Sequence, residues 1–197
     1  MDAPLSRAVG PCVDPPVDAD EQRRCVDALR KGDASALAAA YGAFRPAIFT
    51  YLLRVTRDRP LAEDLLQDTF LKFARAAPGL RPDTRLLPFL LVIARNSFLS
   101  RRREAVYDLD RVRELRLWTD EAATSNPDRD ARSNEGVARI EQAIAGLPLP
   151  LREVLVLVTL LGVEPDDAAL LLDLRPDNLR QRLHRARAML KTRLEAP

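Results

Sequence analysis

At 197 residues the chain has room for one domain or two small ones, and with 47% apolar residues it can fill packed cores. Gly is scarce, Tyr and Phe number only three and six, and the heavy use of Ala, Leu and Arg favours an all-α fold over sheet. A net charge of +2 says nothing by itself about nucleic acid, and no membrane span is expected: the longest apolar run, Leu86 to Ala94, has nine residues and includes Pro88, against about twenty for a span.

Residues 1–20 hold Pro4, Pro11, Pro15 and Pro16 among several Asp without periodicity, the composition of a disordered tail. They carry acidic charges and no apolar core, so no secretory signal is expected and the protein is placed in the cytoplasm. Cys12 and Cys25 match no metal-ligand spacing, and free thiols are the expectation for both. Residues 21–31 are weakly helical. Gly32-Asp33 stops that segment and offers a new N-cap for a helix over Ala34 to Ala43. Pro46 starts or kinks the next helix, which runs to about Arg57. Asp58 and Pro60 open a strong helix from Leu61 to about Ala76. Its packed side is Leu61, Leu65, Leu66, Thr69, Phe70 and Phe73; Glu63, Asp64, Gln67 and Asp68 make an acidic-polar side. Favourable placement of acids against the helix dipole is one sufficient reason for them.

Pro78-Gly79 ends that helix, Leu80 to Arg85 forms a loop, and Thr84 is a candidate cap for a helix over Leu86 to about Arg103. Residues 104–135, with five Arg against nine Asp and Glu, read as an acidic connector. It is helical in part from Glu104 to Trp118 and a polar linker over Thr119 to Asn134. Val137, Ile140 and Ile144 mark a helix over Glu135 to Ala145, which Leu147-Pro148-Leu149-Pro150 separates from the next. Pro165 to Leu172 makes a short helix and Asp173-Leu174-Arg175 a tight connector. From Pro176, a residue suited to a first helical position, Leu179, Leu183, Ala186 and Leu190 recur at helical spacing. The opposite face holds Arg180, Gln181, His184, Arg185 and Lys191, and residues 173–197 carry seven Lys and Arg against three Asp and Glu. Helix, tight turn, basic helix is the layout of a helix-turn-helix, whose second helix enters a DNA major groove. A solvated amphipathic helix would show the same outer charges.

The motifs choose between those readings. Arg152-Glu153-Val154-Leu155, the Pro165–Leu172 helix and Arg182-Leu183-His184-Arg185-Ala186-Arg187 together resemble region four of bacterial sigma factors, especially the small extracytoplasmic-function (ECF) group of the sigma-70 family. Upstream, the run Ala62 to Leu71 is similar to that family's "AEDLVQETFL" helix of region two, and Ile93-Ala94-Arg95-Asn96 matches its promoter-melting helix as it stands. The resemblance covers about residues 32–103 and 136–193, both regions in the family's order. It implies two small helical domains joined by a flexible linker: a tail over 1–20, region two over 21–103, a linker over 104–135 and region four over 136–197.

What the resemblance implies about partners and residues is specific. Asp64, Gln67 and Asp68 are expected to face the clamp of core RNA polymerase. Phe89, Arg95, Asn96, Arg101, Arg102 and Arg103 are expected at the −10 element, where separated bases are held by stacking and edge hydrogen bonds and phosphates by Arg. Phe89 stands where the family usually has Trp and could equally be a core residue. Arg180, Gln181, His184 and Arg185 occupy the positions that contact the −35 element, and Arg and Gln have the geometry to read guanine and adenine edges. Arg187 is expected nearer the packed flank, on phosphate or the polymerase flap. Promoter DNA and core polymerase are thus the expected partners, with an anti-sigma protein as a regulator. The linker would thread the polymerase cleft or serve as a plain acidic tether.

Four positions depart from the pattern: Ser100 where Asp is common, Asp173 at the usual Gly of the turn, and Glu164 and Arg175 at the usual Ser caps. Poor caps cost about 0.5–2 kcal/mol each, which bears on promoter affinity more than on fold. The chain is not expected to be an enzyme: the one His, His184, has no acidic partner nearby in sequence, and no nucleophile elbow, phosphate loop, metal set or cofactor motif is present. The alternative function is a diverged sigma-like helix-turn-helix regulator or interaction module without promoter-initiating activity.

Overall fold

The computed structural model describes residues 19–111 and 135–195, with no strand among them. Residues 1–18 of the expected tail, with Cys12, and most of the linker lie outside the described residues; Ala19 and Asp20, expected in the tail, already belong to the first helix. The chain divides into two compact units. The first holds α1 (Ala19–Arg30), α2 (Ala34–Thr56), α3 (Arg59–Ala76) and α4 (Leu86–Arg111); the second holds α5 (Glu135–Ala145), α6 (Leu149–Leu155), α7 (Pro165–Leu172) and α8 (Pro176–Glu195).

In the first unit, capping residues set the helix starts. Asp33 Oδ1 accepts from the Ser35 N–H at 2.8 Å and the Ala36 N–H at 3.4 Å, and Asp58 Oδ1 accepts from the Leu61 N–H at 3.0 Å. Arg57, between α2 and α3, is left-handed with φ 59°, which turns the chain back on itself. α2 corrects one expectation at Pro46: no new helix starts there, and a single helix runs from Ala34 to Thr56. A proline inside a helix loses one hydrogen bond and costs about 3 kcal/mol. The cost is outweighed by one continuous buried stripe on both sides of it, Ala40, Phe44, Ala47, Ile48, Tyr51, Leu52 and Val55. By length and composition α2 is also long and apolar enough to cross a membrane. Its Ala47, Ile48, Tyr51 and Leu52 are wholly buried, and it packs against α1, α3 and α4, as the core helix of a bundle does.

α3 packs Ala62, Leu65, Leu66, Thr69, Phe70 and Phe73 inward. α4 answers with Leu90, Leu91, Ala94 and Phe98, each no more than 2% exposed. Between the two helices, a 3₁₀ turn over Ala77–Gly79 leads into the loop 80–85. Thr84 does not serve that loop as a helix cap; its hydroxyl accepts from the Arg81 N–H at 3.0 Å and closes the loop, while the Gln22 side-chain amide donates to the Thr84 carbonyl at 3.2 Å.

The second unit is built around Leu147, Val154, Leu157, Ala168, Leu179 and Ala186, all essentially inaccessible. α6 begins at Leu149, inside the Leu147–Pro150 stretch expected to be a spacer, with Pro150 in its first turn. After Leu155 it widens into a π-turn over Val156–Leu160, where the Leu161 N–H donates to the Val156 carbonyl at 3.0 Å. Gly162, with φ 64°, then turns the chain towards α7. α7 ends at Asp173 in the left-handed conformation, φ 55° and ψ 50°. The Leu174 N–H donates to the Ala169 carbonyl at 2.8 Å and the Asp173 N–H to the Leu170 carbonyl at 3.2 Å. That pair of bonds is a Schellman closure, formed here on Asp where Gly is the usual residue. Glu164, at the start of α7, makes no side-chain cap.

Candidate polymerase and nucleic-acid interfaces

α3 turns its outer row away from the bundle. Asp64 and Gln67 are exposed, three residues apart, and Leu71 continues the row at the next turn with 59% of its surface exposed. Among the described residues no ion pair holds Asp64, whereas Glu63 is tied to Arg59 at 3.0 Å. Asp68 is placed differently from its two expected companions. It is half-buried at the edge of the row, its Oδ2 lies 2.7 Å from Lys72 Nζ, and the same ammonium donates to the hydroxyl of buried Ser97 on α4 at 2.9 Å. Partial burial pushes the Asp68 carboxyl up. Hydrogen bonds from Lys72 and Ser97, together with the nearby charges of Lys72 and Arg101, outweigh that and hold it below the usual carboxylate range.

α4 separates residues that are neighbours in sequence. Asn96 is exposed, and Arg103, seven residues on, returns to the same side of the helix. Arg101 lies about 140° round from Asn96, on the side of Asp68, with Glu104 at 3.9 Å. Arg102 turns the other way and sets its guanidinium over the Phe98 ring, 5.7 Å from the centroid. The three Arg therefore do not form one patch on the helix surface. Arg95 is half-buried, and Phe89 is half-buried with its ring edge-on to Phe73 at 6.3 Å.

α8 buries Leu179, Ala186 and Leu190 and leaves Leu183 half-buried. Arg180, Gln181, His184, Arg185 and Arg187 are all exposed on its outer face. Arg187 shares one flank with Arg180, His184 and Lys191, where with Leu183 they line a shallow open groove. Gln181 and Arg185 stand further round the same face. Arg180 is paired with Asp177 at 3.2 Å, while Arg185 and Arg187 have no ion pair among the described residues. The helix thus presents guanidinium and amide groups free to meet phosphates and base edges.

Among the described residues no three His, Cys, Asp or Glu side chains come together as a metal-binding group. Cys25 is a half-buried thiol on α1. The sequence reading missed two exposed apolar side chains, Leu71 and Tyr41, and the Lys72 bridge. Leu71 was findable, because it falls on the Asp64–Gln67 row rather than on the buried stripe.

Comparison with known proteins decides the family. The Sigma-70 region 2 family model matches residues 40–106, which span most of α2, all of α3 and most of α4; the region 4 model matches residues 138–190, from α5 into α8. ECF RNA polymerase sigma factor SigC of Mycobacterium tuberculosis is 30% identical over 166 residues, 81% of this chain and 84% of that protein. The chain belongs to the ECF group of the sigma-70 family. RNA polymerase sigma factor CarQ of Myxococcus xanthus is 29% identical over 167 residues, covering 84% of this sigma factor and 93% of CarQ. Among solved structures, CnrH in complex with the cytosolic domain of CnrY has a TM-score of 0.65 at 25% identity, over 90% of this chain and 98% of that one. The sigma factor RpoE of Bartonella quintana, solved with the anti-sigma factor NepR, shares the fold with a TM-score of 0.67 at 24% identity, over 77% of this chain and 91% of that one. This sigma factor is therefore a promoter-specific transcription initiation protein that works through RNA polymerase, and the matches to both regions do not favour the alternative of a diverged sigma-like helix-turn-helix regulator or interaction module without promoter-initiating activity.

Proposed function

We propose that the protein docks on core RNA polymerase through α3, carries it to promoters by their −10 and −35 elements, and helps separate the strands, catalysing nothing itself and needing no cofactor. In this reading Asp64 and Gln67, with Asp68 at the edge, meet the polymerase clamp. Asn96 and Arg103 form the strand-holding side of α4, helped by Arg95, while Arg101 and Arg102 support that helix and Phe89 acts from within the bundle. On α8, Arg180, Gln181, His184 and Arg185 read the −35 element, and Arg187 holds phosphate or the flap. Region two occupies residues 21–103, the linker 104–135 and region four 136–197. An anti-sigma protein is the natural regulator, a reading supported by the CnrH complex with CnrY. Polymerase and promoter both place the protein in the cytoplasm.

The observation that carries this reading is that two helical units each present an outward polar row: Asp64 and Gln67 on α3, Arg180, Gln181, His184 and Arg185 on α8. Co-purification with core polymerase tests the first row. Asp64→Arg changes an exposed residue, so helicity by circular dichroism stays as in the native protein, while a like charge now faces a basic partner and core binding is lost. Undiminished co-purification of the folded variant refutes the docking role of α3.

A further inference from the structure

Four large apolar side chains are exposed among the described residues: Tyr41 (41%), Leu71 (59%), Val92 (38%) and Leu170 (80%). Two of them, Tyr41 and Leu71, lie against or on α3. The Tyr41 ring, from α2, sits edge-on against Phe70 with centroids 4.7 Å apart, and Phe70 in turn is edge-on to buried Phe73 at 6.3 Å. Leu71 is the next residue along and points about 100° further round the helix. The strip between them holds Gln67 and half-buried Ala74. Tyr41 is thus an aromatic packed on Phe70, which Phe73 backs in turn, and Leu71 is a leucine standing on the acidic row itself. An aromatic packed on another ring before binding and rimmed by polar groups is the kind of side chain that carries much of the energy of a protein interface, and Leu71 adds exposed apolar area beside it.

We infer that Tyr41 and Leu71 are the apolar anchors of the polymerase-docking surface, which extends from α3 onto α2. The inference rests on the reading of α3 as the docking helix. The occupant is core RNA polymerase, through an element that carries apolar side chains at its centre and basic ones at its edge. Continuity argues for it: Leu71 lies in the same row as Asp64 and Gln67, so anything that covers those two covers Leu71 as well. Charge argues for the basic edge, since Asp64 has no ion pair among the described residues and Glu63 meets only exposed Arg59. The division of roles follows. The acids set the rate of encounter, and the two apolar side chains set how long the complex lasts.

The experiment measures association and dissociation of the full-length protein with purified core polymerase at two salt concentrations. Leu71→Ala and Tyr41→Ser are each expected to weaken binding about tenfold, mainly by faster dissociation and with unchanged salt dependence. Tyr41→Phe, which keeps the ring against Phe70, recovers the affinity lost in Tyr41→Ser, and native-like helicity and thermal unfolding of Tyr41→Ser separate loss of contact from loss of fold. Leu170→Ala, at a more exposed leucine on the other unit, leaves binding as in the native protein. Native-like dissociation of Leu71→Ala and Tyr41→Ser, while Asp64→Arg fails to bind, overturns the anchors and leaves the docking helix standing. Native-like binding of all three overturns both. Self-association that depends on Leu71 and Tyr41, with core affinity unchanged, also overturns the proposal, because the occupant is then a second copy of the chain.

Discussion

Replacing Asp173 by Gly should make the helix-turn-helix more stable. Asp173 holds φ 55° and ψ 50° at the end of α7, a conformation that costs an L-residue about 1–2 kcal/mol, with Asp towards the lower end because it is among the non-Gly residues that adopt it most readily. Its carboxylate also lies where the last carbonyls of α7 concentrate negative charge. That placement is unfavourable by about 0.3–1 kcal/mol, and towards the lower figure here because the residue is exposed. Against these gains, Gly widens the unfolded ensemble at a cost of about 0.4–1 kcal/mol. The balance is a stabilisation of about 1 kcal/mol, which slows opening-limited amide exchange about fivefold. Hydrogen exchange by mass spectrometry on the full-length protein localises the effect to residues 165–190. Asp173→Asn separates the two causes, since it removes the charge and keeps tolerance of the left-handed conformation. Unchanged or faster exchange over 165–190 in Asp173→Gly would refute the reasoning, because the turn would then bear no strain that Gly can relieve.

On α8, Gln181→Ala or Arg185→Ala should cost about 1–3 kcal/mol on the preferred −35 sequence and relax preference at one or two base pairs, while Arg187→Ala weakens all duplexes alike and lowers the salt slope by about one; affinities for singly substituted duplexes at two salt concentrations check both. On α4, Asn96→Ala and Arg103→Ala should impair promoter opening more than duplex binding, as read by permanganate reactivity beside a gel shift, and Arg101→Ala should affect opening less than either because it faces Asp68. Asp68→Asn tests the edge contact by pH. A carboxyl held below its ordinary value contributes stability that is complete above the unfolded value of about 3.9 and is lost as pH falls through the lower folded value. The native protein should therefore exceed the variant by at most about 1 kcal/mol above pH ~5, since Asp68 is 43% exposed, and the gap should close below pH ~4 in urea unfolding curves.

The helix boundaries that could be read from sequence are those set by local chemistry. Asp33 and Asp58 cap because their carboxylates reach backbone N–H groups two or three residues on, and Pro165–Leu172 stands with its expected ends because Pro and a left-handed residue bracket it. The misread places are those where packing decides. Pro46 stays inside α2 because buried apolar side chains on both sides hold the helix together. The π-turn over Val156–Leu160 gives no periodic signal, since nearly every residue there is apolar. At the interfaces, consecutive residues mislead: Arg101, Arg102 and Arg103 look like one basic patch in the sequence, yet each points about 100° from the last. Asp68 looked like Asp64 because the Lys72 bridge to Ser97 spans 25 positions and only the fold brings it about.

The most direct test of the account is transcription reconstituted from purified core polymerase and the full-length protein on fragments of its own genome, with start sites mapped. Transcripts should arise from a limited set of promoters sharing one −10 and one −35 pattern, only when the protein is present, and should vanish with Asp64→Arg. Core polymerase that binds the protein tightly yet starts at no new promoter would contradict it.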